Sequence, residues 1–148
     1  MNESTIAAFL AGEIDAQRLE SEVRDSERKV DAVTTAITVA DMKSEFAITR
    51  PMALRLSDAV SNGSLQAEVL RTVAFVIVSS DHLHWGDDEL LGEIILDWSC
   101  PEVNYPPTPA NMVRCRNWLK GTEPYPTKAT ASQTHHGILV SRLIRDRE

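Results

Sequence analysis

The sequence predicts a mainly α-helical protein, a compact single-domain bundle of about five to seven helices. Three observations lead to this class. The chain has 148 residues, of which 43% are hydrophobic, and this suits one domain with a substantial core. Apolar residues recur at helical spacing over most of the chain. Residues that start or end helices separate these apolar segments, and no internal repeat is present.

Each predicted helix carries a start or stop signal with a physical cause. Asp15 and Ser64 are predicted N-caps, because their side-chain oxygens accept hydrogen bonds from the first free N–H groups. Pro51 suits a first helical turn, and Gly12 and Gly121 suit helix ends because glycine adopts the left-handed conformation. The predicted helices cover residues 4–11, 15–29, 51–60, 64–80, 87–100, 108–120 and 138–148.

Two segments are ambiguous in the sequence. Residues 30–48 join a β-branched stretch to a helix-like one, so a small β element near 30–40 is the alternative there. The VAFVIV stretch is apolar on every side, which predicts a central buried helix or a buried strand. We expect a helical domain over 1–121, with a loop or arm and a basic C-terminal helix over 122–148 as part of the same domain.

The charge of the chain is unevenly distributed. The formal net charge is −7, and residues 81–102 alone carry seven carboxylates with no lysine or arginine. Phosphate neutralisation dominates nucleic-acid affinity, so an acidic chain is a poor candidate for that function. No apolar run approaches the ~20 residues that a membrane span needs. A basic protein is the partner that this charge favours.

The helix predicted from Asp87 to Cys100 would place its acidic residues away from the core. Glu89, Glu93 and Asp97 are spaced as a stripe on one side, with Leu96 exposed beside them. No basic residue at i±4 relieves the repulsion within this stripe, which favours a surface that meets external cations. The predicted partner-binding residues are Asp81, Trp85, Asp87, Asp88, Glu89, Glu93, Leu96, Asp97, Glu102 and Tyr105.

Two histidines within the acidic segment raise the alternative of a metal site. His82, His84 and Asp87 could in principle bind zinc, manganese or iron, which would make the protein a small metal-dependent hydrolase. Histidines in a loop before a helix more often cap, hydrogen-bond or face water, so we expect no metal, no cofactor and no catalytic residue.

The two cysteines, Cys100 and Cys115, are too few for a disulfide scaffold, and we expect both to be buried and inert in a reducing cytoplasm.

The N-terminal stretch FLAGEIDAQRLESEV resembles the opening of colicin-like self-protective immunity proteins, including those paired with contact-dependent inhibition toxins. In that family a short helix ending near F-L-x-G is followed by a small loop and a second amphipathic helix. The resemblance covers roughly the first 25 residues and extends to a compact, acidic, helical character. It implies a bacterial protein that binds a toxin domain and blocks it.

These observations together predict an acidic cytoplasmic binding protein that blocks a basic partner. An immunity or inhibitor protein that neutralises a toxin nuclease by charge mimicry is the leading hypothesis, since nucleases that act on polyanions are typically basic. We expect a monomer or weak homodimer. The alternative is a structural or regulatory adaptor in a larger assembly.

Overall fold

The computed structural model describes residues 1–103 and 105–126. This part of the chain is mainly α, with six helices and two small sheets, which confirms the predicted class. The predicted C-terminal helix lies outside the described residues. The elements in chain order are α1 (Glu3–Ala11), α2 (Ala16–Ser26), β1 (Glu27–Lys29), β2 (Thr35–Ile37), β3 (Phe46–Ala47), α3 (Arg50–Ser61), α4 (Ala67–Ser79), β4 (Leu83–His84), α5 (Glu89–Ser99) and α6 (Pro109–Lys120).

Most of the predicted helix signals act as expected. The Asp15 side chain accepts a hydrogen bond from the backbone N–H of Arg18 at 2.8 Å and caps α2. Gly12 and Gly121 follow α1 and α6 with φ of 82° and 71°, in the left-handed region that favours glycine. The prediction for Ser64 is wrong. Its hydroxyl donates to the carbonyl of Ala59 at the end of α3, and α4 begins after Gln66.

A β-hairpin replaces the last turn that was predicted for α2. The hydroxyl of Ser26 donates to the carbonyl of Val23 at 2.6 Å, and the helix ends at this residue. β1 then pairs antiparallel with β2, as the β-branched sequence near 30–40 favours. The helix-like stretch after β2 is not helical. It leads into β3, which pairs in parallel with β4 and ties this segment to the loop before α5.

The core lies between α4 and its neighbours. α4 packs most extensively on α5, and α3 packs on α6, and buried residues of all four helices belong to one apolar cluster. Leu19 and Val23 of α2 are fully buried in it, as predicted. The VAFVIV stretch is helical but is not buried on every side, because Phe75 is 53% exposed and Val78 is 37% exposed.

Among the described residues, none of the helices has both the length and the apolar character that crossing a membrane would require.

Candidate functional site

The acidic segment 81–102 runs from the loop after α4, through β4 and α5, to the first residues beyond α5. Most of α5 is buried, and only a narrow strip of the helix faces solvent. Glu89, Glu93, Leu96 and Cys100 fall within an arc of about 60° at 100° per residue. Glu89, Cys100 and Leu96 are exposed, Leu96 to 40%, and Glu93 is half-buried. We call these four residues the α5 stripe.

Asp97 does not belong to this stripe, and its prediction as an exposed partner-binding residue is wrong. It lies about 80° around the helix from Glu89, and it is only 1% exposed. The segment after α6 covers it, and the hydroxyl of Tyr125 donates a hydrogen bond to Asp97 Oδ2 at 2.8 Å. A buried carboxylate requires such a partner, because burial of an unpaired charge is strongly unfavourable.

The covering segment is held by aromatic contacts. The Tyr125 ring meets Trp118 of α6 edge-on, with 4.9 Å between centroids, and Tyr105 meets the same indole at 5.3 Å. Burial raises the pKa of the Tyr125 phenol, and the bond to Asp97 raises it further. Tyr105, predicted as a partner-binding residue, is a half-buried part of this packing.

Asp88 is also neutralised within the chain. It caps α5 by accepting the N–H of Leu91 at 3.1 Å. Both of its carboxylate oxygens accept from Arg50, at 2.6 Å from Nε and 2.9 Å from the second guanidinium nitrogen. The bond from Arg50 is the main cause that lowers the pKa of Asp88. The expectation of an unpaired carboxylate here is wrong because the cation comes from α3, which is distant in sequence.

Glu102 lies just after α5 and is paired on the surface. Its carboxylate is 2.7 Å from the guanidinium of Arg71 on α4, and both side chains are more than half exposed. Exposed pairs of this kind contribute roughly 0–1 kcal/mol. Glu102 is thus accessible but already has a cation from its own chain.

Three of the predicted acidic residues are exposed and pair with no cation in the part of the chain that the structure describes. Asp81, Asp87 and Glu89 face solvent around the start of α5. Within residues 1–103 and 105–126 no salt bridge is made to any of them. We call these three the acidic end.

Trp85 lies beside the acidic end and rests on α5. Its indole covers Gly92 so closely that a Cβ on that residue would collide with Nε1. The side chain is half-buried and packs against the core. The indole therefore lies against α5 at Gly92, the residue before Glu93.

The alternative metal site is not formed by the described residues. His82 Nδ1 lies 3.4 Å from Oε2 of Glu3, a buried carboxylate on α1. His84 is exposed on β4, and Asp87 is exposed beyond it. No group of three histidine, cysteine or carboxylate side chains suited to a metal ion occurs in the part of the chain that the structure describes.

The two cysteines differ from each other. Cys115 is buried, and burial raises the pKa of its thiol to about 11, so the unreactive protonated form dominates at neutral pH. Cys100 is exposed, and the prediction that it is buried is wrong.

Phe75 is the surface residue that the sequence interpretation missed. It is the exposed aromatic of α4 and shares a solvent-facing side with Glu68, Arg71 and Ser79. A helical wheel of α4 carries this signal, since residues 68, 71, 75 and 79 fall on one side and three of them are polar. This signal was missed because the uninterrupted apolar run around Phe75 indicated burial.

Comparison of the chain with protein-family models, with curated proteins and with solved structures gives no match.

Proposed function

We propose that this protein is a binding protein that blocks a basic protein partner by stoichiometric association, without catalysis. The observation that carries the proposal is a division among the acidic residues of segment 81–102. Asp88, Asp97 and Glu102 have partners within the chain, whereas the acidic end has no salt bridge among the described residues. With respect to residues 1–103 and 105–126, these three exposed carboxylates could therefore pair with cations on another molecule.

The acidic end adjoins groups that could hold a complex together. Leu96 lies two turns along the α5 stripe from Glu89, at about 10 Å, and is 40% exposed. Trp85 lies beside the same stripe over Gly92. Carboxylates speed the encounter with a basic surface, and desolvated apolar or aromatic side chains slow dissociation. The surface offers both kinds of group.

The class of partner that fits is a basic toxin or nuclease domain, and the protein would then act as an immunity or inhibitor protein in the cytoplasm. The net charge of −7 and the N-terminal resemblance to self-protective immunity proteins support this class. In this proposal the free protein is a monomer or at most a weak homodimer, because the acidic ends of two copies repel each other.

The proposal is tested by a charge reversal with a matched control. Wild type, the D87K/E89K variant and an E13K/D25K variant are each immobilised and exposed to an extract of the cells that produce the protein. Glu13 and Asp25 are exposed acidic residues outside the acidic end, so both variants change the net charge equally. We expect wild type and the control to retain a basic protein that D87K/E89K loses.

The retained protein is then purified, and its association with each variant is measured at low and high salt. We expect a 1:1 complex whose association rate falls about tenfold or more with added salt, since electrostatic steering accelerates encounter by 10–10³-fold. An acidic partner, or equal association rates for the two variants, would contradict the proposal. Light scattering that shows a stable homo-oligomer without such a partner would favour the adaptor alternative.

A further inference from the structure

The hairpin and α4 enclose a cleft with an unusual exposed aromatic on one wall. Phe75 of α4 is 53% exposed there, although full burial of such a side chain would stabilise the fold by about 1.5–3 kcal/mol. On the opposite wall Val33 is 96% exposed and Ile37 is half-buried. The cleft has a volume of about 560 Å³ and is open to solvent.

Local hydrogen bonds fix both walls of this cleft. Asp31 accepts the N–H groups of Val33 and Thr34 at 2.9 and 2.7 Å, which holds the hairpin turn that carries Val33. The hydroxyl of Thr72 on α4 donates to Glu27 of β1 at 3.0 Å and joins the two walls of the cleft. The apolar side chains are therefore presented on ordered backbone.

The charged residues that line the cleft are mainly acidic. Glu27 and Glu68 line it, and the one cation among its described lining residues, Arg71, is paired with Glu102 at 2.7 Å. A side chain entering the cleft would thus meet three apolar side chains, Val33, Ile37 and Phe75, with two carboxylates among the polar residues around them. Charge complementarity favours an apolar group that is flanked by a lysine or arginine.

The cleft also adjoins the surface described above. Ser99, in the last turn of α5, lines it between Leu96 and Cys100 of the α5 stripe. One partner could therefore contact the α5 stripe and the cleft together.

We propose that the cleft is the anchor pocket for the basic partner and receives an aromatic or large aliphatic side chain that lies next to a lysine or arginine. This inference rests on the proposed function, because the same partner would contact the acidic end. An apolar side chain seated between Phe75 and Val33 would be largely desolvated, which is typical of the few residues that carry most of the energy of an interface.

The test uses a random peptide library displayed on phage and selected on the wild-type protein. The enriched peptides are synthesised with a fluorophore, and their affinities for wild type, F75S, V33S and V113S are measured by anisotropy. Val113 is 54% exposed on α6 and is not among the residues that line the cleft, so V113S removes an apolar side chain of similar fractional exposure at a different site. Circular dichroism checks that each variant is folded.

We expect enriched sequences with an aromatic or large aliphatic residue beside lysine or arginine. F75S should weaken their binding about 30-fold, the loss of one hot-spot contact, V33S should weaken it less, and V113S should leave it unchanged. Equal binding by F75S and V113S, or no enriched sequence class, overturns the proposal. Light scattering that shows wild-type dimers and monomeric F75S also overturns it, because the occupant would then be a second copy of the chain.

The same peptides separate the two proposals. Peptides that lose affinity with D87K/E89K but not with F75S would support the acidic end as a binding surface and would rule out the cleft as the anchor pocket. Peptides that depend on Phe75 but carry no basic residues would keep the cleft as an apolar pocket and contradict the basic partner.

Discussion

The carboxylates on the two sides of α5 have opposite environments. Asp97 faces the segment after α6 and is buried with a tyrosine hydroxyl as its partner. Glu89, on the solvent side, is exposed and makes no salt bridge within the described residues. Both residues belong to one predicted stripe in the sequence. The difference teaches that the position of a carboxylate on a helix does not fix its role, because the role depends on what a distant segment places over it.

The largest loss of stability is expected from a substitution on the buried side of α5. The Y125F substitution removes the hydroxyl that donates to Asp97 and leaves that bond unmade in a buried site. We expect the free energy of unfolding to fall by about 1–3 kcal/mol, the usual range for a buried polar group that loses a partner. Urea denaturation measures this change. Y105F is the matched control, since it keeps a ring on Trp118 and leaves the bond to Asp97 intact. A similar loss in both variants would mean that the Asp97 bond contributes little.

An intermediate effect is expected where α5 begins. D88A removes both an N-cap and the bidentate contact with Arg50. The cap contributes about 0.5–2 kcal/mol, and the partly exposed ion pair adds roughly 0–1 kcal/mol. Thermal and urea unfolding should therefore show a loss of about 1–2 kcal/mol. D87A, one residue earlier, should change stability by less than about 0.5 kcal/mol. If the two substitutions are equally costly, the contrast between paired and exposed carboxylates is wrong at this end of the helix.

The smallest effect is a pH dependence of the Arg50 contact. Arg50 lowers the pKa of Asp88 below its ordinary 3.8, so the folded state binds the proton more weakly than the unfolded state. The resulting stability is present above pH 3.8 and is lost as the pH falls through the lowered pKa. R50Q should be less stable than wild type by under about 1 kcal/mol at neutral pH, since both partners are partly exposed. The two proteins should converge in strong acid. A difference that is constant with pH would show that Arg50 acts through packing instead.

The parts of the fold that depend on local interactions could be predicted from the sequence. The Asp15 cap, the glycine ends of α1 and α6 and the buried face of α2 follow from short-range rules. The end of α2 could not be predicted in the same way, because its last residues pair with a strand that comes later in the chain. The pairing of β3 with β4 joins two segments that are even further apart.

The candidate surface was predicted only in part, for the same reason. Leu96 and Glu89 are exposed as expected, since α5 packs with the predicted core face inward. Arg50 and Tyr125 neutralise or cover neighbouring carboxylates from elements that no local pattern connects to α5. Phe75 was missed because its apolar neighbours suggested burial, although the polar residues one turn away on each side indicated a solvent-facing position.

The contact between Trp85 and Gly92 has a consequence for any molecule that approaches α5. Because residue 92 has no side chain, the indole lies directly on the helix backbone, and its orientation is set before a partner arrives. Ordering a side chain at an interface usually costs about 0.5–1.5 kcal/mol. At this position the indole is placed against the helix during folding, so the free protein already carries an ordered aromatic side chain on α5 when a partner approaches.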